Sequence, residues 1–92
     1  MRDLPQTPLY DAAILDAELA RRRAARRSAA RNDADLLAQR GRLARLALRY
    51  REAAAFYGEA ADLVGFDVEL AQTYRRDSAI AVTLAAAQEP GA

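Results

Sequence analysis

The stretch ARRRAARRSAAR, residues 20–31, carries six arginines and no acid. Guanidinium groups at that density can lie against phosphates, each neutralised charge adding a salt-dependent increment to affinity. On a helix they spread around the axis, with Arg23, Arg27 and Arg31 on one side and Arg22 and Arg26 on another. No aromatic residue is interleaved among them to stack on a base. The alternative is a solvated helix whose arginines pair with acids of the same or a second chain, and the near-neutral net charge of +1 favours it. Arg21, Arg22, Arg23, Arg26, Arg27 and Arg31 are the candidate nucleic-acid contacts under the first reading.

Catalytic chemistry has little to work with. Histidine and cysteine are absent and all 14 cationic side chains are arginine, so the usual general base, thiolate nucleophile and Schiff-base amine are missing. Glu52, Glu59 and Asp62 form the closest acid cluster, but on a solvated helix face nothing raises their pKa for proton transfer. Ser28 and Ser78, the only serines, have no histidine to activate them. The hydroxyls of Tyr50 and Tyr57 can bond a ligand, but packing explains these residues better. The expectation is a protein that is not an enzyme and has no catalytic residue, cofactor or metal.

The elements that position these residues follow from composition. Ninety-two residues make one small domain, 1–92, near the size at which a single core becomes marginal. Apolar residues make up 52%, yet alanine supplies 24 of them, so the core is thin. Three valines, two isoleucines and three threonines are too few to seed a sheet beside so many strong helix formers. The fold class is therefore all-α. No apolar run approaches the ~20 residues of a membrane span, and MRDLPQTPLY lacks the apolar region of a signal peptide, which predicts a soluble cytoplasmic chain without membrane contact. Residues 1–50 hold 11 Arg against 6 acids, and residues 51–92 hold 3 Arg against 7 acids, so the two parts attract within or between copies.

Local signals predict about four helices. Pro5 and Pro8 mark residues 1–9 as an extended lead-in, and a first helix runs from Pro8 or Tyr10 to Arg31. Nothing large and apolar follows Leu19 in that helix, so its second half projects into solvent or touches a partner. Asn32-Asp33 reads as a break, with Asp33 capping a second helix over 34–48. There Leu36, Leu43, Leu46, Ala47 and Tyr50 form the packed arc, opposite Arg42, Arg45 and Arg49. A third helix over 51–64 groups Ala53, Phe56, Tyr57, Ala60, Leu63 and Val64. Gly65 suits the left-handed position past its end, with Phe66 folding back on the last turn. Asp67 caps a fourth helix over 68–87, which packs through Leu70, Tyr74, Ala81, Leu84 and Ala85, and 88–92 form a frayed tail.

Residues 34–67 resemble one tetratricopeptide repeat, a 34-residue helical hairpin in which small residues sit where the helices touch and aromatics fill the gaps beside them. Gly41, Ala53 and Ala60 stand at the small positions, Tyr50 and Tyr57 at the aromatic ones, and Leu-Arg-Tyr-Arg-Glu-Ala at 48–53 is close to the family's turn. Leu37 replaces the family's tryptophan, Arg40 an apolar leucine, Ala44 a tyrosine, Leu48 the turn glycine and Gly65 the usual proline. The resemblance covers about a third of the chain, and one repeat needs neighbours to bury its faces. It implies an adaptor that holds a helix or peptide of a protein partner, with Arg42, Arg45, Arg49, Tyr57, Phe66 and Tyr74 as contacts. The missing neighbour implies self-association, a dimer being the commonest solution. A small nucleic-acid-associated protein using the arginine-rich helix is the alternative, and a purely self-assembling structural subunit the third.

Overall fold

A computed structural model describes residues 8–89, with side chains from Asp11 onward, and all regular structure among them is helical. Three helices follow one another: α1 (Pro8–Leu46), α2 (Tyr50–Leu63) and α3 (Val68–Gln88). The expected first and second helices are thus one, and the break at Asn32-Asp33 does not occur. The two residues are exposed on a continuous helix, where each costs well under 1 kcal/mol relative to alanine. A break would instead leave up to four N–H and four C=O groups without helical partners. Neither glycine nor proline is there to enforce it. Asp33 caps nothing, whereas Asp35 accepts a hydrogen bond from Gln39 Nε2 at 2.7 Å along the same uninterrupted helix.

Of the lead-in expected over 1–9, residues 1–7 lie outside the described residues, while Pro8 and Leu9 already belong to α1. Proline suits a first helical position because its absent N–H would have no helical partner there. At the other end α3 reaches Gln88, Glu89 follows it, and the rest of the expected tail, 90–92, lies outside the described residues.

The two turns close differently. After α1, the Arg49 amide donates to the Ala44 carbonyl (2.8 Å) and the Leu48 amide to the Arg45 carbonyl (3.0 Å), the paired bonds of a Schellman cap. That cap requires a left-handed residue, and Leu48 fills the position with φ 64°. Gly65, expected in that role after α2, does not take a left-handed φ. There the Val64 amide donates to Ala61 (3.2 Å) and the Asp67 amide to Val64 (2.8 Å), so the chain turns without needing positive φ. Asp67 caps α3 as expected, accepting from the Leu70 amide at 3.2 Å.

Alanine makes the core. Ala34, Ala38, Gly41 and Ala44 of α1 face Ala53, Tyr57, Ala60 and Ala61 of α2, and Ala71, Tyr74, Ala81 and Ala85 of α3 are buried as well. Val64 is the largest side chain that is wholly enclosed among the described residues. The arc expected to bury Leu36, Leu43 and Leu46 is instead outside, these leucines being 63%, 62% and 76% exposed. Helix α2 lies on the small-residue stripe because only there can it come close. A Cβ on Gly41 would already stand 3.3 Å from Phe56 Cβ and from the Tyr57 ring. The leucines on the far side of α1 have no helix over them.

Helix α2 packs against both α1 and α3. Ser78 Oγ donates to the Ala54 carbonyl at 2.9 Å, fastening α3 to α2, and Gln88 Nε2 donates to the Leu48 carbonyl at 3.1 Å, fastening the end of α3 to the first turn. The molecule measures 79 × 18 × 18 Å with a radius of gyration of 21.1 Å, against about 12 Å for a compact chain of this length. At 39 residues, α1 is about 58 Å long, and its N-terminal part extends past the α2–α3 pair.

Candidate interaction surfaces

Two of the concave places among the described residues bear on function. The first is a cleft between the C-terminal part of α1 and the end of α3, of about 550 Å³, lined by Arg42, Arg45, Leu46, Leu48, Tyr50 and Leu84. The exposed leucines and the left-handed turn give it an apolar wall, and the two guanidiniums give it a cationic one. Further along the α1–α3 boundary, Tyr74 has its pKa raised above the ordinary tyrosine value. Burial is the main cause, followed by the charge of Asp35; Arg42 pulls in the opposite direction, and Asp77 adds to the rise.

The second lies where α1 leaves the helical pair. Arg23, Arg26, Arg27 and Ala30 border a notch of about 250 Å³ beside Phe66. The Phe66 ring, 42% exposed, has the guanidinium carbons of Arg27 and Arg31 at 5.8 and 5.1 Å from its centroid, within cation–π range. Arg31 also stands 3.5 Å from Asp67. Arg21 and Arg22 pair with Glu18 within the helix. Among the described residues no carboxylate is within ion-pair distance of Arg23, Arg26 or Arg27.

The six residues expected to contact a partner are therefore divided. Arg42 and Arg45 line the cleft, and Tyr74 stands near Arg42. Tyr57 is 4% exposed and works as core. Arg49 turns to Glu52 at 3.7 Å, and Phe66 sits at the far end of the molecule with the arginines. The expectation that those arginines have no aromatic beside them holds along the sequence but not in space. Phe66 is 35 residues from Arg31 in the chain, and only the return of α2 brings it there. Leu46, Leu48 and Leu84 are not among the expected contacts, and Tyr50 is considered only for its hydroxyl; the cleft forms only once α3 is placed beside α1, which their spacing does not encode.

Glu52, Glu59 and Asp62 are exposed, Asp62 lies 3.9 Å from Arg75, and no three ligand-type side chains converge among the described residues. Arg40 lies over the Phe56 ring at 4.9 Å, its guanidinium and stem covering the aromatic. Among the described residues no helix is long and apolar enough to cross a membrane.

Compared with known protein families, with curated proteins and with solved structures, the chain matches none. The functional reading rests on the surfaces themselves.

Proposed function

We propose that this chain is a non-enzymatic interaction module that takes a helix or peptide of a protein partner in the α1–α3 cleft and associates with copies of itself. The observation that carries the reading is the cleft's composition: Arg42 and Arg45 stand among Leu46, Leu48, Tyr50 and Leu84. An apolar groove with two cations fits an amphipathic segment whose apolar side chains enter the groove and whose carboxylates meet the arginines. Two features support the tetratricopeptide resemblance of residues 34–67. Gly41 allows the close helix contact, and the left-handed residue of the first turn falls at Leu48, where the family carries glycine.

The test is selection from a displayed library of random peptides, with the binding face mapped by amide chemical shifts. Peptides rich in leucine and acid that shift residues 42–50 and 84 support the reading, and R42E/R45E should weaken them at least tenfold. Binders that perturb neither α1 nor α3 at the cleft reject it.

A second reading has its own observation. Phe66 under Arg27 and Arg31, beside Arg23 and Arg26, supplies the aromatic surface that a single-stranded nucleic acid uses together with cations. Titration with single-stranded DNA and RNA at stepped salt decides it. Binding that falls steeply with salt and is lost in F66A supports the reading, and no binding at low salt removes it.

A further inference from the structure

Residues 11–29 of α1 are exposed throughout, apart from half-buried Glu18, and hold Ile14, Leu15 and Leu19 out to solvent. A second helix laid along it would add the tertiary packing from which most helical stability comes. The accessible surface of 6513 Å² exceeds by about 1,200 Å² the roughly 5,300 Å² of a compact monomer of this mass. Stable interfaces cover about 600–1,000 Å² per partner, so the excess is enough for one.

The order of charges specifies what can lie there. Asp11, Asp16 and Glu18 occupy the first turns, and Arg21, Arg22, Arg23, Arg26 and Arg27 the later ones, with no mixing. Along the same helix Ala12, Leu15, Leu19, Arg22, Arg26 and Ala29 recur at alternating spacings of three and four, the seam of a paired helix. A parallel partner would set Arg22 against Arg22 and Arg26 against Arg26 on that seam. An antiparallel one reverses the blocks.

We propose that two copies of this chain pair through residues 11–29 of α1, antiparallel, the acidic turns of each lying beside the arginine block of the other. The pairing rests on the self-association proposed above and specifies its geometry. The free segment begins near Asp11 and stops at Ala30, where Phe66 comes down beside α1. Full overlap therefore puts the two-fold axis between residues 20 and 21. In that register Leu15 of one copy meets the stem of Arg26 of the other, and Leu19 the stem of Arg22. Glu18 then stands level with Arg23, and Asp16 is about 3 Å from that level along the axis. The arginine stems cover the leucines while their guanidiniums reach the acids, so the cations of 23, 26 and 27 acquire the carboxylates they lack among the described residues.

The absence of cysteine makes the register readable by single-cysteine oxidation of the full chain. In the antiparallel pair residue 19 of one copy stands opposite residue 22 of the other on the seam, while the two copies of residue 15 lie about 16 Å apart along the axis. A mixture of L19C and R22C should form a disulfide dimer and L15C alone should not. Crosslinking of both at equal rates overturns the antiparallel arrangement while leaving self-association intact. A monomer by sedimentation at high micromolar concentration overturns both. R22E/R26E should weaken the dimer at least tenfold, and mixing R22E/R23E/R26E with D16R/E18R should restore association. Failure of that mixture to associate, or arginines that bind single-stranded nucleic acid on a chain that stays monomeric, rejects the pairing.

Discussion

Within one helix, the two parts of α1 follow opposite rules. From Ala30 to Leu46 its inner stripe is Ala34, Ala38, Gly41 and Ala44, and α2 lies directly on it, while Leu36, Leu43 and Leu46 face outward. From Asp11 to Ala29 the backbone is equally helical, yet among the described residues no helix lies over it. Small residues bring α2 close over the second part, and α2, only 14 residues long, turns back near Phe66 before it can cover the first. Helical propensity is common to both parts, so it cannot be what distinguishes them.

The contrast gives predictions at several scales. Tyr57→Ala empties the centre of the packed part and should cost about 3–5 kcal/mol, enough to unfold a domain this small. L15A/L19A in the bare part should change monomer stability by under ~0.5 kcal/mol. Urea unfolding followed by circular dichroism, at concentrations where the chain is monomeric, compares the two. If L15A/L19A proved as damaging as Tyr57→Ala, the bare part would be packed after all.

Next comes Gly41→Leu, which drives a side chain into Phe56 and Tyr57 and should cost about 1–3 kcal/mol. Ala25→Leu, on the bare part of the same helix, should be nearly neutral by the same measurement. Leu48→Gly should stabilise by about 1 kcal/mol by relieving a left-handed leucine, seen as a rise in Tm; Gly65→Ala should not destabilise, since its backbone does not require glycine. Smallest is a pH effect at Tyr74. Its folded pKa lies above the unfolded one, mainly through burial, so its neutral form is favoured in the fold. That contribution is present below about pH 10 and is lost as pH rises toward the folded value. The alkaline loss of stability should flatten in Tyr74→Phe.

Much of the local structure was legible. The spans of α2 and α3, the Asp67 cap and the solvent-facing second half of the arginine helix all follow from periodicity and end signals. The leucines of 34–48 misled because periodicity shows which residues share a face but not which face is covered. Asn32-Asp33 misled because residues that favour caps are tolerated in an exposed helix, where continuing it preserves hydrogen bonds. Gly65 misled because a glycine permits a left-handed turn without requiring one, while the Schellman geometry at the end of α1 forced Leu48 into it.

The chain's composition determined an all-helical protein with a thin alanine core, and the order of its charges determined which segments attract. Only the tertiary structure decided that α1 runs unbroken, that its leucines stay outside, and that Phe66 meets arginines far from it in the chain. The physical reason is that helix formation depends on neighbours three or four residues away. Which stripe becomes buried depends instead on how closely another helix can approach it, and that is settled between segments distant in sequence.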